Sequence, residues 1–252
     1  MKQFSRRRLI TTGLATVAGA SGLAVAARLA SRYGLVPPDH GGLYGPGETL
    51  TYAVQRLLTA HSLAREFPRS MISKAPFRNE TAPPSEEYKR LQAGGFQDWR
   101  LVVDGMVDHP LSLSISDLRS LPVRNQITEV VCEEGWSYIA EWIGTPLSAV
   151  LHEAGPHPNV RYIVYHSIEK DWWESIDMAD ALHPQTFLTL GMNDGDLPMG
   201  FGGPLRLRVP RQLGYKSVKY VVRLTATDSM KGFGKGLGSA SPEVGYAWYA
   251  GI

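Results

Sequence analysis

Apolar residues in this sequence are grouped into short segments typical of strands, and the helical segments between them are also short. The strand-like segments are rich in branched and aromatic residues and lie at residues 99–107, 127–131, 159–166, 187–192, 205–209 and 218–227. The regular alternation of a strand with a long helix, which builds a doubly wound sheet, is absent. The pattern therefore predicts an α+β fold, a single domain with a mixed sheet and short helices.

The charges are divided unevenly along the 252 residues of the chain. Residues 1–32 contain six basic and no acidic residues, whereas the remainder contains 20 basic and 24 acidic residues. Domains that bind nucleic acid carry a clustered excess of basic residues. The slightly acidic main part of the chain therefore argues against a nucleic-acid partner.

The first residues have the pattern of an export signal. Ser5 is followed by three arginines and then by residues 9–27, which carry no charge. Basic residues before a modestly apolar stretch are typical of secretion signals, and the paired arginines are similar to the twin-arginine signal. We therefore expect export to the periplasm, with residues 1–32 acting as a signal or, if retained, as an N-terminal membrane tether.

The rest of the chain changes composition near residue 95. Residues 33–95 are predicted to form a linker rich in Gly and Pro, a helix over residues 49–67 and an irregular arm. Residues 96–252 contain the predicted strands and form the predicted functional domain.

Cys132 is the only cysteine of the chain, which excludes an internal disulfide and a zinc site built from several cysteines. It directly follows the strand predicted at residues 127–131, so it is expected at the end of a sheet. A lone cysteine is often a small buried hydrophobic residue. In an exported protein, however, an unpaired thiol is exposed to oxidation unless a ligand such as a metal occupies it.

A second cluster contains five basic residues between Arg206 and Lys219, preceded by Gly202 and Gly203. Glycines allow a ligand to approach the backbone closely, and cations suit a phosphate group. Arg206 and Arg208 lie on the same face of the predicted strand. The cluster indicates either a phosphate site or a solvated basic strand, and neither the GxxxxGK nor the GxGxxG nucleotide motif occurs.

The two clusters together resemble the sulfite oxidase-like molybdopterin-dependent oxidoreductases. The resemblance rests on the segment from Val131 to Trp136 (VCEEGW), the segment from Trp142 to Leu147 (WIGTPL), and the basic cluster, which reads GGPLRLRVP followed by GYKSVK. It covers roughly residues 99–227. The resemblance implies the molybdopterin-binding fold of the sulfite oxidase type and a cofactor containing molybdenum and molybdopterin.

The resemblance implies a role for individual residues. Cys132 would ligate molybdenum beside the dithiolene sulfurs of the pterin, and a soft thiolate suits such a metal. The other residues are implied to bind the cofactor, mainly its phosphate or pterin: Asn79, Ser167, Arg206, Lys216, Ser217, Val218 and Lys219.

Two departures from the sulfite oxidases bear on the substrate. Phe201 stands where a histidine is common, and Glu133 and Glu134 stand where an arginine is expected after the cysteine. Carboxylates repel an anion such as sulfite. Glu134, a candidate catalytic residue, is more similar to the methionine-sulfoxide-reductase-like branch, where this position is acidic.

We therefore expect an exported enzyme that transfers an oxygen atom to or from a small-molecule substrate. Because the sequence ends at Ile252 without a haem-binding stretch, electrons are expected to be exchanged with a separate cytochrome or membrane redox subunit. Two alternatives remain open on the residues alone: a metal-free enzyme with Cys132 as nucleophile, activated by a histidine such as His166, and a non-catalytic binding domain of the same fold.

Overall fold

The computed structural model describes residue 30, residues 34–79 and residues 82–252. The predicted export signal lies outside the described residues except for Ala30, so it stays a prediction. Within the described residues, no helix has the length and apolar character needed to cross a membrane.

Ten strands of the described residues form two five-stranded sheets. The first sheet has the order β2-β1-β10-β5-β6, and its strands β1 and β10 run parallel while its other pairs are antiparallel. The second sheet is antiparallel and has the order β3-β4-β7-β8, with β9 paired to β7. The strands are β1 Leu101–Gly105, β2 Leu111–Leu113, β3 Arg124–Val131, β4 Ser137–Pro146, β5 Tyr162–Ser167, β6 Trp173–Asp177, β7 Phe187–Met192, β8 Gly195–Asp196, β9 Arg206–Arg208 and β10 Val221–Thr227.

Six α-helices in the described part of the chain flank the sheets, and five of them have eight residues or fewer. Two of these short helices end at a glycine, Gly94 or Gly155. They are α1 Gly45–Leu58, α2 Glu86–Ala93, α3 Ile115–Ser120, α4 Leu147–Ala154, α5 Met178–Ala181 and α6 Ala240–Glu243. The main apolar core combines residues of both sheets with residues of α2, α3 and α4. The α+β class with short helices is confirmed, and the predicted mixed sheet is joined by a second, antiparallel one.

Two segments before residue 95 differ from the sequence prediction. Helix α1 begins at Gly45, inside the predicted linker, and ends at Leu58 instead of continuing to residue 67. Helix α2 lies in the predicted irregular arm, where the Ser85 hydroxyl accepts a hydrogen bond from the amide of Tyr88 and caps the helix. Tyr88 is fully buried, so this part of the arm packs into the core.

Two connections bring the sequence motifs to one place in the fold. The first is the tight loop of residues 132–136 between β3 and β4. The second is the segment from β9 to β10, which contains the 3-10 helix Gly214–Lys216. Gly214 lies against the end of β3, where an added Cβ would be 3.3 Å from the carbonyl oxygen of Val131. The absence of a side chain at residue 214 therefore allows the two connections to meet.

Candidate cofactor-binding site

A cavity of about 260 Å³ lies between these two connections. Seven of the nine residues predicted for the site line it: Asn79, Cys132, Glu134, Arg206, Ser217, Val218 and Lys219. The other two, Ser167 and Lys216, do not line this cavity. The structure therefore brings the two sequence clusters together around one space, although they are separated by about seventy residues.

Cys132 is placed at the cavity by the hairpin that joins β3 to β4. Its amide donates a hydrogen bond to the carbonyl of Trp136 (2.9 Å), and its carbonyl accepts one from the amide of Gly135 (3.1 Å). Gly135 has φ +91°, a conformation that glycine adopts without strain. Cys132 is 7% exposed, so its thiol lies at the cavity wall and is shielded from bulk solvent.

Two carboxylates surround the thiol of Cys132. Its Sγ lies 3.3 Å from Oε2 of Glu133 and 3.9 Å from Oε2 of Glu134. Burial raises the pKa of the thiol to about 11, and the charge of Glu133 also acts in this direction. A thiolate forms in this environment only with a bound cation or a neighbouring base, and this requirement holds for a nucleophile as well as for a metal ligand. None of the described residues that line the cavity is a histidine that could act as this base, which weighs against the metal-free nucleophile.

Aromatic side chains form one wall of the cavity. Trp136 stacks on Tyr138 with 6.0 Å between ring centroids, and Phe77 lies 4.8 Å from Trp136. Phe201 contacts Tyr138 edge to face at 5.7 Å. The indole Nε1 of Trp136 donates to Glu134 (2.8 Å), which fixes the carboxylate against this wall. The wall offers a polarisable, mainly apolar surface beside Cys132.

The opposite side of the site carries buried positive charge. Nε of Arg206 donates to the carbonyl of Ser217 (2.9 Å), and Nη1 donates to the carbonyl of Phe201 (3.1 Å). Nη1 of Arg208 donates to Oγ of Ser217 (3.0 Å), and Nη2 donates to the carbonyl of Glu129 (3.1 Å). The two arginines are only 5% and 1% exposed, so the basic strand β9 is not a solvated surface.

Neither buried guanidinium is neutralised by a carboxylate. Among the described residues, no Asp or Glu oxygen lies within 4 Å of a nitrogen of Arg206 or Arg208, and Nε of Arg208 has no hydrogen-bond partner. Burial, together with the charge of Arg206, lowers the pKa of Arg208 to about 9. Buried charges are normally paired. This excess of positive charge would favour an anionic group in the cavity.

The segment of residues 217–219 is held between β9 and the arm. Oγ of Ser217 accepts a hydrogen bond from the amide of Val209 (3.1 Å), and the carbonyl of Val218 accepts one from Leu207 (3.0 Å). Nζ of Lys219 donates to Oδ1 of Asn79 (2.8 Å), which connects two predicted site residues distant in sequence. The segment thus has a fixed backbone, with a lysine at the cavity.

Lys216 points away from the cavity into the core. Its side chain is completely buried, and Nζ donates to Oε2 of Glu174 (2.7 Å), the carbonyl of Ser175 (3.1 Å) and Oγ of Ser239 (3.1 Å). The ammonium group is therefore fully occupied by protein atoms. In this structure its side chain supports the segment 214–219 from behind instead of facing a ligand.

Ser167 acts on the cavity through the turn that follows β5. Its amide donates to the carbonyl of Trp172 (3.0 Å), and its Oγ accepts a hydrogen bond from the amide of Glu169 (3.0 Å). Glu169 and Trp172 both line the cavity. Ser167 therefore orders the turn that carries two lining residues.

Several lining residues were not predicted from the sequence. They are Phe77, Arg78, Val130, Tyr138, Glu169, Gly200 and Tyr215. Phe77 and Arg78 directly precede the predicted site residue Asn79, so their place at the cavity could be inferred from that prediction. The place of Tyr138 and Glu169 could not be inferred from the sequence, because it depends on the β3–β4 hairpin and on the turn after β5.

Comparisons with known proteins match this chain to a family of molybdopterin-binding domains. The family model described as "Oxidoreductase molybdopterin binding domain" matches residues 89–233. A putative protein-methionine-sulfoxide reductase subunit YedZ1 of Azospira oryzae is 36% identical over 195 residues, which are 77% of this chain and 70% of that protein. The protein-methionine-sulfoxide reductase catalytic subunits MsrP of Xanthomonas campestris and Ralstonia nicotianae are 31% and 32% identical over 61% and 52% of this chain. The matched parts span 52% and 44% of these two MsrP proteins, about half of their length.

The fold has a counterpart among solved structures. The sulfane dehydrogenase SoxCD of Paracoccus pantotrophus superposes with a TM-score of 0.55 and 24% identity, over 68% of this chain and 46% of that chain. This likeness concerns the fold. The family model matches more than half of the chain, and molybdopterin, which that family binds, is the cofactor that the sequence resemblance implies. The chain belongs to the sulfite oxidase-like molybdopterin-binding oxidoreductases, which are molybdenum-dependent enzymes.

Proposed function

We propose that the protein is an exported reductase that removes the oxygen atom from a neutral sulfoxide at the cavity beside Cys132. Residues 1–32 would direct export to the periplasm, and residues 96–252 would form the catalytic domain. The observation that carries the proposal is the meeting around one cavity of the lone thiol, an aromatic wall and the buried Arg206, which no carboxylate of the described residues neutralises.

The described residues fit a molybdopterin cofactor. The Cys132 thiol is a soft ligand that suits molybdenum, and the cavity reaches it directly. Arg206 and Lys219 bring cations to the other end of the cavity, where the phosphate of the cofactor would be held by charge-assisted hydrogen bonds. Ser217 and Val218 would contribute backbone contacts there. Asn79 would fix Lys219, and Ser167 would order the turn of Glu169 and Trp172.

The reaction balances with two electrons and two protons. The sulfur–oxygen bond of the sulfoxide breaks, sulfur is reduced to the sulfide, and the oxygen leaves as water. When bound, the cofactor supplies a metal centre able to exchange two electrons and an oxygen atom. We propose that a separate redox protein, a cytochrome or a membrane subunit, delivers the electrons.

The protein groups around the thiol select the substrate. Trp136 and Tyr138 provide an apolar surface for the groups on the sulfoxide sulfur and keep bulk water from that side. Glu134, held by Trp136, lies within reach of the same space and could pass a proton to the departing oxygen. Glu133 and Glu169 add negative charge to the lining, which opposes an anionic substrate. The names of the relatives also point to methionine sulfoxide.

The proposal predicts substrate selectivity in the loaded enzyme. With a reduced viologen dye as electron donor, the protein should reduce free or peptide-bound methionine sulfoxide. Oxidation of sulfite should have a kcat/KM lower by roughly tenfold or more. In the double variant Glu133→Gln/Glu134→Gln, sulfite should be accepted better, whereas Glu153→Gln, on α4, should change nothing. A preference of the wild-type protein for sulfite would overturn the proposed substrate.

Replacement of Arg206 tests the phosphate end of the cavity. We expect Arg206→Met to release the cofactor about 10–100-fold more readily, since it removes a cation that no carboxylate neutralises. Arg119→Met is the matched control, because Arg119 forms an exposed ion pair with Asp196 (2.8 Å). Pterin content after dialysis measures the effect. Equal retention in Arg206→Met and the control would remove Arg206 from the site.

A further inference from the structure

Helix α1 exposes its apolar residues and buries the side chain of Arg56, one of its two charged residues. Leu50, Val54, Leu57 and Leu58 are spaced i, i+4, i+7 and i+8, so they form one stripe along the helix. They are 44–77% exposed. No charged residue of the helix lies within this stripe. A surface helix of a globular protein normally has the reverse arrangement, with its apolar stripe facing the core.

The inner face of α1 is fixed to the domain by polar contacts. Arg56 is 6% exposed at its side chain, and its nitrogens lie 2.6 Å from Asp177 and 2.7 Å from Asp180. The hydroxyl of Tyr52 donates to Asp177 (2.6 Å), and the Tyr52 ring packs edge to face on Trp248. The helix is therefore held in one orientation, and its leucine stripe faces outward because of the fold.

The exposed apolar surface continues beyond both ends of α1. Leu43 and Tyr44 precede the helix and are 88% and 65% exposed, and Leu63 follows it at 64%. With the four helical residues they form a surface that we call the leucine face. Contiguous apolar surfaces of this kind mark contacts with another protein or with a membrane. Tyrosine at the rim is typical of a membrane–water interface.

The position of the N-terminal segment indicates which kind of partner covers the leucine face. Residues 9–27 are uncharged and are followed by Arg28 and Arg32. The described chain resumes at Gly34 and Leu35, which line a cavity of about 580 Å³ with Leu57 and Ala60 of the α1 region. The N-terminal segment therefore joins the domain beside the leucine face, and its two arginines suit anionic lipid headgroups.

We propose that the leucine face lies in the headgroup region of a membrane, parallel to the bilayer surface, and orients the domain on it. The occupant is lipid, because the face is a stripe on a rigid surface helix with an aromatic rim. It also lies next to an N-terminal segment in which an uncharged stretch is followed by two arginines. The inference goes beyond the proposed reaction, because no residue of the leucine face lines the cofactor cavity. If the membrane contact were refuted, the proposed reaction would be unaffected, and the reverse also holds.

The test uses the full chain and vesicles of phosphatidylethanolamine and phosphatidylglycerol. The variant Leu50→Gln/Leu57→Gln removes the centre of the leucine face. Its partition into vesicles, measured by co-sedimentation, should fall roughly tenfold or more relative to wild type. The control Val123→Gln/Val244→Gln replaces two exposed valines elsewhere (55% and 73% exposed) and should partition as wild type does. Thermal unfolding of all three proteins checks that the fold is kept.

A local probe separates the leucine face from the N-terminal segment, which all variants share. An environment-sensitive fluorophore is attached at Leu57→Cys in a Cys132→Ser background, with Val123→Cys as the matched site. With vesicles, emission from position 57 should shift to the blue, and emission from position 123 should not. An aqueous spectrum at position 57, or equal partition of the double variant and wild type, overturns the proposal. Self-association that is lost in the double variant without lipid would assign the face to a second copy and also overturn it.

Discussion

Replacement of Cys132 by alanine is expected to abolish molybdenum binding and turnover while the fold is kept. The side chain is the proposed sulfur donor at the cavity wall, and no other cysteine exists in the chain. Removal of residues that only support a metal ligand lowers metal affinity or activity by about 10–100-fold. Loss of the ligand should therefore lower turnover by more than about 100-fold. Metal analysis and methionine sulfoxide reduction measure the two effects.

The fold of this variant should be nearly unaffected. The change removes one buried atom, and small core truncations cost about 1 kcal/mol. Cys132→Ser is the matched variant, because it preserves size and replaces the soft donor by a hard one. Thermal unfolding of the metal-free proteins should give similar midpoints for all three. Full turnover in Cys132→Ala would contradict the assignment, and so would full molybdenum content.

The second large effect is expected on stability, at Lys216. The ion pair between Lys216 and Glu174 has no exposed side-chain surface on either partner. Lys216→Met would leave the Glu174 carboxylate buried and uncompensated, which costs about 3–5 kcal/mol. Glu174 would keep only the hydrogen bond from the amide of Ser241 (3.1 Å). Denaturant-induced unfolding of the metal-free protein measures the loss.

A double variant separates this structural role from cofactor binding. Lys216→Met/Glu174→Leu removes both charges and should recover much of the lost stability, since an apolar pair can replace a buried ion pair. Molybdenum content per folded chain should also recover in it. If the double variant is stable but binds the cofactor as poorly as Arg206→Met, the ammonium of Lys216 serves the phosphate directly, as the family resemblance implied.

The parts of the site that follow from local sequence were predictable. The apolar segment before Cys132 predicts a strand, and β3 ends at Val131, directly before the cysteine. The segment of residues 187–192 is mostly apolar and forms β7 with the predicted bounds. The face shared by Arg206 and Arg208 follows from the two-residue period of a strand.

Other features depend on contacts that local sequence does not contain. Strand β4 was missed because its residues are buried on both faces over much of its length and so lack the alternation that marks a half-exposed strand. The direction of the Lys216 side chain depends on Glu174, which lies 42 positions earlier, on strand β6. The burial of Arg206 and Arg208 depends on the packing of β9 against β7, which turns a basic strand into an interior one.

In the proposed enzyme the sulfur of Cys132 is bonded to the metal of the cofactor. X-ray absorption at the molybdenum edge would detect this bond in protein purified from the periplasm of a host that makes the cofactor. We expect molybdenum to have one sulfur neighbour fewer in any metal retained by Cys132→Ser than in wild type. An identical sulfur shell in both proteins, or wild-type protein that reduces methionine sulfoxide without molybdenum, would contradict it.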